Sequence, residues 1–343
     1  MVKLAIFDSK SFDKEFFKKY EDKYDITYYE TLLTKKTVGL AKGYDAISIF
    51  VNDVVDKEVI DKLYEENVKI ILLRCAGYNN VDIEYCYKKI HVARVPSYSP
   101  TSIAEFAFAL LLSLSRKVVR GNNRTKEFNF SLDSLVGFDL AGKTIGVVGT
   151  GQIGSKVIDI AKGFGMNVVF YDIFKKDING AKQVELDELY KESDIISLHS
   201  PLTADNYHFI NKETIGKMKQ GVVIINTSRG GLINTSDLIE GLKSKHVSGA
   251  GLDVYEEESD LFFSDLSSAI VEDDVIARLL SFPNVIVTSH QAFLTDNALT
   301  NIASETIKNL EQFLNNEYID NELCYRCKKD MKDCYKKRKE RCF

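Results

Sequence analysis

The chain has 343 residues, 45% of them hydrophobic, with a formal net charge of −5. That is long enough for two domains with sizeable cores. No window approaches the roughly 18 consecutive apolar residues of a membrane span, and the start, Met-Val-Lys-Leu-Ala-Ile-Phe-Asp, turns acidic too soon for a signal peptide. A cytoplasmic protein is expected, and the acidic body gives no reason to propose nucleic-acid binding.

In chain order, Lys3 to Phe7, Ala46 to Phe50 and Val68 to Leu73 are short apolar runs suited to buried parallel strands. Between them lie amphipathic stretches such as Asp56 to Glu66, with Val59, Ile60 and Leu63 on one face. This is the pattern of an open parallel sheet with helical crossovers. Ala76 and Gly77 follow the third run, at a strand end where such sheets bind ligands. Tyr98-Ser99-Pro100 breaks the pattern, and a domain crossing is placed near Tyr98. Ser102 and Glu105 then read as a capping box for an apolar helix from Ile103 to Val119. A second series of strands begins at Thr144 and continues through Asn167 to Tyr171, Asp194 to Leu198, Val222 to Asn226, Ser248 to Leu252 and Asn284 to Thr288. A last helical pattern, Leu299 to Leu314, is expected to return to the first domain. The acidic, irregular stretch from Asp260 to Asp274 is expected to be a surface loop.

The most informative stretch is Thr144 to Val148 running into Gly149-x-Gly151-x-x-Gly154 and then an apolar helical pattern. Strand, glycine turn and helix in that order are the dinucleotide fingerprint: one glycine for the turn, one for close approach of a pyrophosphate, one for helix–strand packing. The anion would sit at the helix N-terminus. Twenty-one residues beyond Gly151, the next strand ends in Asp172, where an acid accepts hydrogen bonds from a ribose diol and repels a 2′-phosphate. NAD is therefore the expected cofactor.

Arg229, Glu258 and His290 each fall just past a strand of the second series, on the edge that the glycine turn also occupies. His199 closes another strand and is expected to line the cofactor crevice. His91, His208 and His246 read as structural or surface residues, and Cys75 as a small buried hydrophobe.

Several motifs in order make the chain resemble the D-isomer-specific 2-hydroxyacid dehydrogenases. They are Gly77 with Asn80-Val81-Asp82, Val95-Pro96-x-Tyr98-Ser99-Pro100, Ile103-Ala104-Glu105, Gly142-Lys143-Thr144, Ile225-Asn226-x-Ser228-Arg229-Gly230, Gly251-Leu252-Asp253-Val254-Tyr255-Glu256, and Ser289-His290-x-Ala292-Phe293. The likeness runs from about residue 1 to 320, and Tyr98-Ser-Pro with Phe293 is similar to the D-lactate dehydrogenase branch. It implies a Rossmann NAD-binding domain (99–294) inserted into a flavodoxin-like substrate domain (1–98 with 295–322), metal-free, and a homodimer. It also implies His290 as general acid and base, Glu258 as the group that favours the imidazolium, and Arg229 as a planar fork for the substrate carboxylate. Ala76, Gly77, Tyr98 and Phe293 join Arg229 as substrate contacts. Cofactor contacts are Gly149, Gly151, Gln152, Ile153, Gly154, Asp172, His199, Thr227, Ser228, His290 and Asp253, the last near the nicotinamide. The implied reaction is reduction of pyruvate to D-lactate. A relative acting on bulkier branched-chain or aromatic 2-keto acids, and an NADH-binding corepressor-like scaffold, are the alternatives.

The end of the chain departs from that family. Residues 321–343 hold nine Lys/Arg against four Asp/Glu, a net of +5 that leaves −10 on the rest, and four of the six cysteines: Cys324, Cys327, Cys334 and Cys342. A flexible tail, a zinc site and a redox role all stay open, since the second pair lacks a zinc-ribbon spacing.

Overall fold

The structure, a computed structural model, describes residues 1–257, 261–263, 266–268, 270–325 and 343. The chain divides into two compact units, Met1–Ser99 with Thr295–Phe343, and Pro100–Leu294. Each is built on a parallel sheet.

In the first unit the strands are β1 (Lys3–Ile6), β2 (Asp25–Tyr28), β3 (Ala46–Ile49), β4 (Ile70–Leu73) and β5 (His91–Arg94). They lie in the order β2-β1-β3-β4-β5, which is the flavodoxin-like order, with the direction of winding reversing between β1 and β3. β3 and β4 are buried along their whole length, as expected of central strands covered on both faces. The helix Asp296–Leu314, capped by the Thr295 side chain, lays Ala303, Ile307 and Leu310 into this core.

In the second unit β6 (Thr144–Val148), β7 (Asn167–Tyr171), β8 (Lys182–Gln183), β9 (Ile195–Leu198), β10 (Val222–Asn226), β11 (Val247–Leu252) and β12 (Val285–Val287) make a sheet in the order β12-β11-β10-β9-β6-β7-β8. This is the Rossmann order with one further strand. The reversal falls between β6 and β9, so the glycine turn after β6 opens at the switch point where such sheets bind ligands.

Two local expectations are corrected. Ser102 is not a cap: the helix already starts at Pro100, whose fixed φ suits the first helical turn, and Ser102 is buried inside it. Nor does the helix reach Val119. It ends at Ser115, Lys117 takes a left-handed conformation (φ +52°), and a separate helix runs from Val118 to Lys126. Strands β2, β5 and β8 go beyond the sequence expectations: all three are sheet edges, β2 and β8 are largely half-exposed, and β5, though mostly buried, opens on His91 and closes on Arg94, so none of them carries a continuous apolar run.

Among the described residues no helix is long and apolar enough to cross a membrane, and Cys75, Cys86 and Cys324 are free thiols.

Candidate active site

The glycine turn is shaped by close backbone packing. Gly149 has φ +85°, and a Cβ there would stand 2.9 Å from the backbone of His199 and Ser200 at the end of β9. A Cβ on Gly154 would lie 2.0 Å from the Gly149 carbonyl oxygen, so the helix Gln152–Gly163 can start only if that position is bare. Gly151, its N-cap, has open space where a Cβ would go and no side chain to close the helix end. Gln152 is exposed and Ile153 half-buried on the first turn. Thr150, between the glycines, is tied to the end of β7: its N–H and its hydroxyl both donate to Asp172 Oδ2, at 2.9 and 2.7 Å.

Two buried polar atoms along this edge, His199 Nδ1 and Thr227 Oγ1, have no hydrogen-bond partner among the described residues. Such atoms are costly unless a ligand or water serves them. With the bare cradle at Gly151, they fit a polar dinucleotide. The His199 ring is fixed by a 2.7 Å contact between Nε2 and Ser197 Oγ, and burial pushes its pKa down to about 3. It is therefore a neutral ring at physiological pH and unsuited to proton donation there.

Arg229 owes its position to Asn226, the fully buried last residue of β10. Asn226 Oδ1 accepts from Ser228 N–H (3.0 Å) and its Nδ2 donates to the Arg229 carbonyl (2.8 Å). Ser228 Oγ donates to the Ser200 carbonyl at 2.5 Å, which joins this turn to the end of β9. Arg229 Nη1 donates to the Ser228 carbonyl at 2.7 Å. Immediately after it, a Cβ on Gly230 would stand 1.9 Å from the Tyr255 carbonyl oxygen, so the Arg229 turn runs directly against the segment that follows β11. That segment is anchored by Glu256, which accepts from Tyr207 Oη (3.0 Å) and Thr235 Oγ1 (3.2 Å) and pairs with His208 Nε2. Burial would raise the Glu256 carboxyl, but hydrogen bonds from His208, Thr235 and Tyr207 hold it below its ordinary value. Glu258, two residues on, lies outside the described residues.

His290 follows β12 in a left-handed conformation (φ +54°) and is half-buried, its ring centroid 6.0 Å from that of Phe263. Its loop is organised by Asp253, which has no exposed surface. Asp253 Oδ1 accepts from Thr288 Oγ1 (2.6 Å) and Gln291 N–H (2.9 Å), Oδ2 from Ala292 N–H (2.8 Å), and its carbonyl from His290 N–H (2.8 Å). Asp253 thus holds the turn that presents the histidine. Phe293, at the end of that turn, is buried.

In the first unit Ala76 and Gly77 follow β4 on a rigid base. Arg74 is almost wholly buried, pairs with Asp13 (Nε to Oδ1, 3.1 Å), and donates to Ser48 Oγ and to the carbonyls of Phe7 and Asp8. Arg94 Nη1 donates to the Ala76 carbonyl at 2.6 Å, and the Cys75 thiol meets the Gly77 carbonyl at 3.3 Å. Tyr98 is half-buried, its carbonyl bonded by Asn301 Nδ2 at 2.6 Å.

His91 pairs with Glu322 (2.6 Å) and His246 with the Met218 carbonyl (3.0 Å), both structural contacts. Sequence patterning missed the support layer: Asn226, Glu256 and Lys176, whose bonds reach across turns and leave no periodic signal. Lys176 had one sequence cue, a cation four residues after the strand-end acid. Among the described residues no cluster of His, Cys, Asp or Glu is arranged to hold a metal ion. Cys327, Cys334 and Cys342 lie outside them.

The family model for the D-isomer specific 2-hydroxyacid dehydrogenase NAD binding domain matches residues 108–292, more than half of the chain. The chain belongs to that family. Among its relatives, a 2-hydroxyacid dehydrogenase homolog of Haemophilus influenzae is 46% identical over 326 residues, covering 93% of this chain and 98% of that one. The apo-structure of the Escherichia coli D-lactate dehydrogenase is 42% identical, with a TM-score of 0.87 over 94% of this chain and all of that one. A D-lactate dehydrogenase from Aquifex aeolicus, solved with NAD and lactic acid, is 37% identical with a TM-score of 0.81, covering 91% of this chain and 95% of that one. As a D-isomer-specific 2-hydroxyacid dehydrogenase the chain is an NAD-binding oxidoreductase acting on the CH–OH group, built as two α/β parallel sheets.

Proposed function

We infer that the chain interconverts pyruvate and D-lactate with NAD, using His290 as the general acid and base. The observation that carries this reading is the placement of the glycine turn, Arg229 and His290 at the same edge of one parallel sheet, each on a turn braced by buried side chains. The chemistry that a bound nicotinamide supplies is hydride for C2 of the keto acid. His290 gives a proton to the carbonyl oxygen and takes it back in the oxidative direction. Arg229 presents two parallel N–H groups to the carboxylate and polarises the carbonyl, which a lysine head group does not do. Glu258 favours the protonated imidazole, Ala76 and Gly77 offer backbone N–H groups to the carboxylate, and Tyr98 and Phe293 bound the side-chain space. Thr227, Ser228, Gln152 and Ile153 serve the cofactor.

The likeness to D-lactate dehydrogenases over almost the full length supports pyruvate as the preferred acid. Val118, Val119, Phe128, Phe130, Leu132 and Val136 lie exposed along one stretch of the second unit, which supports a homodimer formed through that face. Rates of NADH oxidation with pyruvate, 2-ketoisocaproate and phenylpyruvate test the substrate. Pyruvate is expected to be fastest, and a clear preference for a larger acid overturns the lactate assignment. His290→Ala is expected to lower turnover roughly 10²-fold or more while NADH still binds; near-normal turnover removes the histidine from its role.

A further inference from the structure

Asp172, the acid that the sequence pattern assigns to the ribose, is not a bare carboxylate. Its Oδ2 accepts from Lys176 Nζ at 2.9 Å as well as from Thr150, and its Oδ1 accepts from Phe174 N–H at 3.0 Å. Burial alone would raise this carboxyl, but the hydrogen bonds from Phe174, Thr150 and Lys176 hold it well below its ordinary value. The acid is fully ionised, and its charge is met by a cation.

The lysine is well placed. Lys176 Nζ also donates to the Thr150 carbonyl at 2.8 Å, so the ammonium rests on the middle of the glycine turn. Its backbone is held by Gln183 of β8, whose Oε1 accepts from Lys176 N–H (2.8 Å) while its Nε2 donates to the carbonyls of Asp172 (3.1 Å) and Phe174 (3.0 Å). Two acceptors occupy an ammonium that has three donors. The two side chains differ in exposure, 31% for Lys176 and 9% for Asp172, so the positive member is the one turned to solvent.

An unpaired acid at this strand end turns away a 2′-phosphate by charge repulsion, and a nearby cation reverses that preference. Here the pair is neutral overall with its cation outermost. We propose that Lys176 is the residue that sets the choice between NADH and NADPH, and that the Asp172–Lys176 pair admits 2′-phosphorylated adenosine, the phosphate being met by the Lys176 ammonium. The third ammonium donor reaches the phosphate while the bonds to Asp172 and to the Thr150 carbonyl are kept, so the carboxylate stays neutralised. This inference rests on the assignment of Asp172 to the ribose.

The test is direct binding of ADP and 2′,5′-ADP to the full chain by calorimetry at low ionic strength, where the charge effect is least screened. The native protein is expected to bind the two within about tenfold of each other. Lys176→Met is expected to keep ADP affinity within about threefold and to weaken 2′,5′-ADP about tenfold or more, the loss of one charge-assisted contact. A native preference for ADP beyond about tenfold, or an equal loss of both ligands in Lys176→Met, overturns the proposal; equal loss is what a merely structural lysine produces. Asp172→Ala separates the premise from the inference. Weaker ADP binding in that variant supports the ribose assignment, and unchanged ADP binding removes both the assignment and the proposal built on it. The ratio of kcat/KM for NADH and NADPH should follow the binding ratio.

Discussion

Asp253→Ala is the most revealing change the structure suggests, because it separates two roles for one carboxylate. The substitution leaves the N–H groups of Gln291 and Ala292 and the Thr288 hydroxyl without their acceptor. At about 1–3 kcal/mol for a buried donor left unmade, the Ala292 amide carries most of the cost, and the Gln291 amide, on an exposed residue, adds less. Removing a desolvated carboxylate offsets several kcal/mol of this. Burial acts in that sense at Asp253, raising its carboxyl against the hydrogen bonds from Thr288, Ala292 and Gln291. Global stability should therefore fall only slightly, by about 0–3 kcal/mol, while the turn carrying His290 loses its organiser. A misplacement of about 1 Å at a reacting group costs roughly 10²-fold in rate. The assay pairs kcat with pyruvate against the NADH dissociation constant from fluorescence titration. A fall in kcat of about 10²-fold with NADH affinity within about threefold is the expected result. NADH affinity weakened tenfold or more with kcat intact would refute the positioning role and favour a direct contact with the nicotinamide. Asp253→Asn should fall between, since its amide keeps one acceptor oxygen and turns a donor toward Ala292 N–H.

His199, held neutral by burial, should show no imidazole titration in NMR spectra between pH 5 and 8; a midpoint near its ordinary 6.5 would contradict its environment. Burial raises Asp53 to about 7 against hydrogen bonds from Phe50 and Leu33 and the nearby Arg74, so the folded chain holds this proton more tightly than the unfolded one does. Its share of stability is then fully present below the unfolded carboxyl pKa and is lost as pH rises through about 7. In the intervening window the slope is roughly 1.4 kcal/mol per pH unit. Urea unfolding of the native chain and Asp53→Asn across that range should show the difference, and parallel pH curves would dismiss it. Arg229→Lys should raise the KM for pyruvate well above tenfold with NADH binding retained, because the bidentate grip is lost; unchanged saturation by pyruvate would count against the fork.

The central strands were legible because burial on both faces writes a continuous apolar run. Val222–Asn226 and Thr144–Val148 begin and end where their residues suggest. Edge strands such as Lys182–Gln183 and Asp25–Tyr28 carry no such run, and their pairing is decided by their neighbours. The strand-end positions of the glycine turn, Arg229 and His290 could be located from sequence because each follows such a run directly. What holds them could not. Asn226, Asp253 and Glu256 act through bonds between distant turns, and the Lys176 contact that changes the meaning of Asp172 depends on how a loop is folded by Gln183. The break at Lys117 was hidden for a related reason. Nothing in the apolar spacing marks a left-handed residue that is not glycine.

The most direct test of the account is the reverse reaction: NAD reduction by the purified chain with D-lactate and, separately, L-lactate. Formation of NADH with D-lactate and none with L-lactate is the predicted result. Turnover of the L isomer, or of neither, would contradict it.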